Sequence, residues 1–260
     1  MKFDDIVYEK KESVATITMN RPKVYNAFRT QTLRELARAF EDVELDRSIG
    51  VVVLTGAGDK AFCTGGDSKE VSGTAGYGKE MDYWHTRVHQ AIRTVPKPVI
   101  AAVNGYAIGG GHILHIICDL TIAAEHAIFG QAGPRVGSFD AGFGAAYLAR
   151  VVGEKKAREI WFLCRQYSAR EALNMGLVNQ VVPGKDLMEE TDKWCQEVLA
   201  LSPTALKFLK AAFNADTDSI FGLEQLSMGA VRLYWDSPEA LEGRQAYMEK
   251  RGPDWNKFRK

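Results

Sequence analysis

Ala61-Phe-Cys-Thr-Gly-Gly-Asp67 and Gly105-Tyr-Ala-Ile-Gly-Gly-Gly-His112 decide the reading of this 260-residue chain. Each is a glycine-rich turn behind an apolar, β-branched run, Val51-Val-Val-Leu-Thr55 in one case and Pro98-Val-Ile-Ala-Ala-Val103 in the other. Each leads into amphipathic helical sequence. Glycine has no Cβ, so the N–H groups near Gly66 and Gly110 can come close to a ligand. A Gly-Gly pair alone marks a turn, and a glycine-rich loop before a helix suits a phosphate as well as an oxyanion. Two such amides aimed at one oxygen form an oxyanion hole, where one donor commonly supplies about 3 kcal/mol to a transition state.

Outward from these loops, Val14-Ala-Thr-Ile-Thr-Met19 alternates apolar and polar residues behind a polar turn at 10–13, which predicts a β-hairpin over 6–20. The spacing predicts a helix over 33–43. Strands near Val51, near Val99 and over 120–124 alternate with helices over 84–93 and 110–117, the order of parallel crossover units. Beyond Lys155 helical spacing dominates, over 157–164, 169–175, 187–201 and 205–213. The expectation is an α/β fold, with residues 1–195 as its core and 196–260 as a helical region of the same unit.

Lysine plus arginine equal aspartate plus glutamate at 33 each, so no basic excess points to nucleic acid. The longest apolar run, around 113–120, is broken by His115 and Asp119 and is too short to span a bilayer. The start, Met1-Lys-Phe-Asp-Asp5, carries charges where a secretory leader is apolar, which predicts a cytoplasmic protein. Cys63, Cys118, Cys164 and Cys195 are widely spaced in apolar surroundings and read as reduced core residues. His112 and His115 share a helical face but have no carboxylate-rich partner motif, so no metal is expected.

Through Asn20-Arg-Pro-Lys-Val-Tyr-Asn-Ala27, the stretches 61–67 and 105–112, and Pro96-Lys-Pro98, the chain resembles the crotonase (enoyl-CoA hydratase/isomerase) superfamily over nearly its whole length. The resemblance implies a spiral of ββα units with a helical carboxy-terminal trimerisation region, assembling as trimers often paired into hexamers. It implies an acyl-CoA substrate, with CoA present as part of that substrate and no tightly bound cofactor. The thioester oxygen would be held by the N–H groups of Gly66 and Gly110, the first donor lying between Thr64 and Gly66. Where hydratases of the family carry two glutamates, this chain has Ile113 and Gly133. Simple water addition to an enoyl-CoA is therefore not expected, because moving a proton needs a titratable group within reach.

Phe129-Gly-Gln-Ala-Gly-Pro-Arg-Val-Gly-Ser-Phe-Asp-Ala-Gly-Phe-Gly144 and Ala157-Arg-Glu-Ile-Trp-Phe-Leu-Cys-Arg-Gln-Tyr167 are similar to a narrower subgroup. It comprises 1,4-dihydroxy-2-naphthoyl-CoA synthases and 2-ketocyclohexanecarboxyl-CoA hydrolases. The synthase closes a ring by attack of a thioester-stabilised carbanion on a carbonyl. The hydrolase adds water to a ring ketone and expels the same kind of enolate, so one oxyanion hole serves both directions. The resemblance implies Asp140 and Ser138 beside the reacting carbonyl, with Asp140 moving the proton or activating water, and Tyr77 bonding the substrate. Gln131 and Trp161 would hold bicarbonate as a base in the synthase. Thr64, Lys69, Gly133, Val24, Ala27, Tyr234, Trp235 and Lys250 complete the implied acyl-CoA contacts.

Taken alone, Ser-Phe-Asp is capping chemistry, Tyr77 a surface-loop residue and Trp161 core packing. Phe139, Phe143, Tyr83 and Trp84 suit pocket walls and core alike. Three positions depart from the synthase: Ala132 for a threonine, Val71 for a basic residue, and Trp235, beside Tyr234, for a tyrosine. Each removes a polar or charged contact that a carboxylate-bearing aromatic substrate would use. Residues 1–5, 88–93 and 233–236 look more like the hydrolase, whereas 105–183 is at least as close to the synthase. The expectation is hydrolytic ring opening of a cyclic β-keto acyl-CoA, with the ring-forming synthase as the alternative. A non-catalytic CoA-ester-binding or RNA-binding role is disfavoured by zero net charge and by the presence of Asp140. The basic tail, Lys250-Arg251 with Lys257, Arg259 and Lys260, reads as solvated, although the resemblance places the Lys-Arg segment near the acyl-CoA site at a subunit interface.

Overall fold

In the computed structural model, which describes residues 2–67, 78–139 and 142–259, the hairpin turns where its polar residues predict. Strands β1 (Ile6–Lys11) and β2 (Val14–Met19) pair antiparallel, and Glu12 and Ser13 between them take φ of 50° and 67°, the backbone that a two-residue hairpin turn demands. The further described strands are β3 (Val51–Gly56), β4 (Ala61–Cys63), β5 (Val99–Val103), β6 (Tyr106–Ile108), β7 (Leu120–Ala124), β8 (Ile128–Gly130), β9 (Gln166–Ser168) and β10 (Gln180–Val182). They form two sheets, ordered β1-β2-β3-β5-β7-β10 and β4-β6-β8-β9. All pairings are parallel except β1 with β2 and β8 with β9.

The interior strands of the large sheet are apolar on both faces, as a covered parallel sheet requires. Val52, Leu54, Val99, Ala101 and Val103 point into the main core. Val51, Val53, Ile100, Ala102, Ile122 and Ala124 form a second cluster. Helix α1 (Thr30–Leu45) buries Leu33, Leu36, Ala37, Phe40 and Val43, one stripe at helical spacing. Helices α2 (Lys79–Thr94), α3 (Gly110–Ile116) and α4 (Phe143–Val152) follow β4, β6 and β8 as α1 follows β2, so strand pair and helix occur four times among the described residues. Then come α5 (Glu154–Leu163), α6 (Ala169–Asn174), α7 (Leu187–Leu199), α8 (Pro203–Ala215), α9 (Asp218–Phe221), α10 (Leu223–Trp235) and α11 (Pro238–Met248). Helix α7 caps the second cluster with Leu187 and Cys195.

Lys210 of α8 ties the carboxy-terminal helices to the sheet. Its buried Nζ donates to Ile92 O and Lys97 O, each at 3.0 Å, and to Asp119 Oδ2 at 2.7 Å. The four cysteines are buried and unbridged. The basic tail is not merely solvated: Arg251 and Lys257 both pair with Glu242, at 2.6 and 2.9 Å. Among the described residues no helix is long and apolar enough to cross a membrane.

Candidate active site

Because β4, β6 and β8 lie parallel in one sheet, the loops that leave them come together at the carboxyl ends of the strands, where ligands of α/β sheets commonly bind. The first two loops meet at glycines. A Cβ on Gly65 would lie 3.0 Å from Gly110 N, and one on Gly111 would lie 1.9 Å from Cys63 O. Gly65 and Gly109 take φ of +86° and +58°.

Gly66 is fixed by Phe28: Phe28 N donates to Gly65 O and Asp67 N to Phe28 O, both at 2.8 Å. In such a parallel bridge the residue between the two bonded ones turns its own N–H to the opposite side. Gly110 is the first residue of α3, so its N–H lacks an intrahelical acceptor. The Asn20 to Ala27 segment braces this loop. Asn26 Nδ2 donates to Ala57 O at 3.0 Å and Ala61 O at 2.7 Å, and Arg21 pairs with Asp67 at 2.8 Å.

Two cavities adjoin here. An inner one of about 160 Å³ is walled by Gly66, Gly110, Phe28, Ile113, Trp161 and others. An outer cleft of about 680 Å³ reaches Val24, Ala27, Arg135, Trp235 and Arg244. Thr64, Gly66, Ile108, Ala132, Val136 and Ser138 line both, so they form the neck between them. The structure thus brings together Gly66, Gly110, Thr64, Ser138, Gln131, Gly133 and Trp161 around the inner cavity, and Val24, Ala27 and Trp235 at the outer one. Tyr234 and Lys250 line neither: the Tyr234 ring packs on Phe139 at 5.2 Å and Lys250 is exposed. Asp140, Tyr77 and Lys69, with Val71, lie outside the described residues. Of the four aromatic candidates, Phe139 lines the inner cavity, whereas Phe143 is buried against Tyr147 and Tyr83 is exposed against Trp84.

Ile113 and Gly133 both face the inner cavity. Its described titratable side chains are instead His85 and Glu224, which the sequence reading did not single out. His85 and His89 stand one turn apart on α2, a spacing that could have flagged them, but Glu224 comes from α10 and no local pattern links it to them. Arg244 in the outer cleft was missed for the same reason, whereas Arg135, also in that cleft, lies inside the motif 129–144 without a role of its own there. Arg244 lies over the Trp235 ring at 3.9 Å and donates to Trp235 O at 2.8 Å.

The indole Nε1 of Trp161 is buried without a partner among the described residues. Gln131 Nε2 lies 3.1 Å from His112 Nδ1. Burial pushes His112 down to about 3, so its ring is neutral and accepts from the Gln131 amide. His112 and His115 are packed edge to face at 4.9 Å in the core. Burial pushes the Cys63 thiol up to about 12, which removes it as a nucleophile beside the loop.

Residues 9–258 match the family model described as enoyl-CoA hydratase/isomerase. Among solved structures, an enoyl-CoA hydratase of Mycobacterium smegmatis is 34% identical, covering 97% of this chain and 99% of its own, with a TM-score of 0.78. An enoyl-CoA hydratase/isomerase from Xanthobacter autotrophicus Py2 is 30% identical, covering 96% and 98%, with a TM-score of 0.85. An enoyl-CoA hydratase from Mycobacterium avium subsp. paratuberculosis K-10 is 28% identical, covering 97% and 99%, with a TM-score of 0.87.

Proposed function

Since this chain belongs to the enoyl-CoA hydratase/isomerase family and is an acyl-CoA enzyme of the crotonase type, we propose that it opens the ring of a cyclic β-keto acyl-CoA by hydrolysis. The observation that carries this reading is the inner cavity itself: the two positions that hold carboxylates in hydratases are Ile113 and Gly133, and both face it. Water addition to a carbon-carbon double bond would have no acid at either place.

In this reading Gly66 and Gly110 receive the thioester oxygen, and the CoA portion lies in the outer cleft along Val24, Ala27 and Trp235. Thr64 sits at the neck, and Arg135 and Arg244 offer positive charge to the phosphates. Water adds to the ring ketone with Asp140 as base, and Ser138 bonds the carbonyl oxygen. The bond between that carbon and the α-carbon then breaks, leaving a carboxylic acid and a thioester enolate. The electron pair rests on the oxygen held by the two amides until a proton from Asp140 reaches the α-carbon. One water is consumed and no cofactor enters. Tyr77 and Lys69 are assigned to the substrate and CoA on resemblance, as is Lys250 through a neighbouring subunit of a trimer or hexamer. Phe208, Phe213, Leu226 and Leu233, exposed on the carboxy-terminal helices, supply apolar surface for such an assembly. A cytoplasmic location accords with this chemistry.

The ring-forming synthase is the second reading, and Trp161 favours it. Its indole N–H, unpartnered among the described residues, with Gln131 and Gly133 also lining the inner cavity, suits a small anion such as bicarbonate. The two readings separate by mass spectrometry of the pure protein with 2-ketocyclohexanecarboxyl-CoA and, separately, with o-succinylbenzoyl-CoA and bicarbonate. Gain of one water on the cyclic ester supports hydrolysis. Loss of one water from the open-chain ester, with naphthoyl fluorescence, replaces it with the synthase.

A further inference from the structure

The inner cavity has a polar wall that the proposed reaction does not use. His85 of α2 and Glu224 of α10 line it, and His89 stands one helical turn from His85, with ring centroids 4.1 Å apart. Glu224 Oε1 lies 3.4 Å from His85 Nδ1 and 2.9 Å from His89 Nδ1. All three residues are buried. The same two helices are clamped by Asp82 and Arg232, whose charges are spent on each other.

Burial raises the Glu224 carboxyl, and the imidazoles of His89 and His85 outweigh it and hold the group well below the usual carboxylate range. The Glu224 carboxylate faces Nδ1 of each ring at ion-pair distance, which orients His85 with Nδ1 toward the carboxylate and turns Nε2 away from it, toward a ligand. That nitrogen accepts from a hydroxyl when the ring is neutral and donates to a carbonyl when it is protonated.

The position is specific. The Phe28 ring lies against His85 at 5.7 Å and fills the space beside Gly110, so His85 stands about one aromatic ring from the oxyanion amides. A hydrocarbon acyl group would bury this nitrogen without a partner, which costs affinity. Sites built to bond a substrate oxygen reject analogues that lack it far more strongly than apolar pockets reject an added group.

We propose that His85, oriented by Glu224 with His89 behind it, binds an oxygen atom carried by the acyl group beyond the thioester, so that the cavity selects oxygenated acyl-CoA esters over hydrocarbon ones. This rests on the inner cavity being the acyl chamber, not on which bond is made or broken there.

The test is calorimetric binding of cyclohexanecarboxyl-CoA and of its 2-hydroxy and 4-hydroxy derivatives, none of which has a ketone to cleave. The outcome is therefore separate from that of the ring-opening assay. The wild type should bind at least one hydroxy ester about tenfold or more tightly than the hydrocarbon ester. His85→Phe should lose that preference while still binding the hydrocarbon ester, which also shows it folded. Glu224→Gln should weaken the preference severalfold, and serves alone if His85→Phe does not fold. Equal affinities in the wild type, or a preference that survives in both variants, overturns the proposal. One equivalent of zinc in the purified protein that vanishes in Glu224→Gln overturns it too, and assigns the three side chains to a metal.

Discussion

The ring of Phe28 occupies the space that a side chain on Gly110 would need: a Cβ built there would lie 2.7 Å from both Cε1 and Cζ. Phe28 also fixes the Gly66 amide through its two backbone bonds to Gly65 and Asp67. One residue therefore sets both proposed oxyanion donors, one by steric packing and the other by register.

Gly110→Ala should displace either the Phe28 ring or the loop, and with it the second donor. Loss of one oxyanion donor lowers turnover by about 10² to 10³. The expected result is a kcat reduced by about that factor with CoA-ester affinity changed little. Wild-type kcat in a folded Gly110→Ala protein would remove the residue 110 amide from the reaction.

Asp140→Asn keeps the size of the side chain and removes its capacity to take or give a proton. Turnover should fall to background while binding of an unreactive CoA ester stays largely intact. Retained ring opening would take Asp140 out of the base role and turn attention to Glu224 and His85.

The outer cleft makes a separate prediction. Arg244 stacks on Trp235 and bonds its carbonyl, so the pair forms one wall. Arg244→Ala removes a charge and the cover over the indole, and should raise KM for CoA esters about tenfold or more with kcat nearly unchanged. Steady-state kinetics at two salt concentrations reads this, since a phosphate contact weakens as salt rises. A KM insensitive to the substitution would place the phosphates elsewhere.

The elements legible in the sequence are those with long periodic signals. The hairpin, the strands around Val51 and Val99 and the strand Leu120–Ala124 announce themselves by β-branched runs, and the glycine loops by the residues they exclude. Helix α1 begins at Thr30, ahead of the apolar stripe starting at Leu33, because Thr32 Oγ1 accepts from Arg29 N in its first turn. Strands β9 and β10 have three residues each, too few to show a period. Helix α4 was missed because its sequence, Phe-Gly-Ala-Ala-Tyr-Leu-Ala-Arg-Val-Val, is apolar nearly all round. The site divides in the same way. Gly66, Gly110, Gln131, Gly133 and Ser138 sit in quotable motifs, whereas His85 and Glu224 meet because α2 and α10 pack together, a fact of tertiary structure that no local spacing encodes.

His112 gives a pH prediction with a definite sign. Its folded pKa, about 3, lies below its ordinary value of 6.5, so the unfolded chain binds the extra proton. Its contribution is intact above pH 6.5 and is lost as pH falls below that value, by about 2 kcal/mol at pH 5 at 1.36 kcal/mol per unit. The stability difference between wild type and His112→Gln, from urea unfolding, should shift by about that amount in favour of the variant between pH 7 and pH 5. An unchanged difference would mean that the buried imidazole is protonated in the native state.

Lys210 offers the sharpest test of how the carboxy-terminal helices are held. Its ammonium is buried, donates to two main-chain carbonyls and faces Asp119, whose carboxylate also accepts from Val99 N at 2.7 Å. Lys210→Met keeps the length of the stem but leaves the Asp119 carboxylate and both carbonyls without their cation. Lys210 is buried but Asp119 is exposed, so breaking the pair costs less than it would in the interior, about 1–3 kcal/mol. Asp119→Asn with Lys210→Met restores neutrality, keeps a side-chain acceptor for Val99 N and should recover a good part of that loss. Denaturant midpoints of the single and double variants measure the coupling. Additive losses would show that the two side chains act independently, and that α8 is held by its apolar contacts alone.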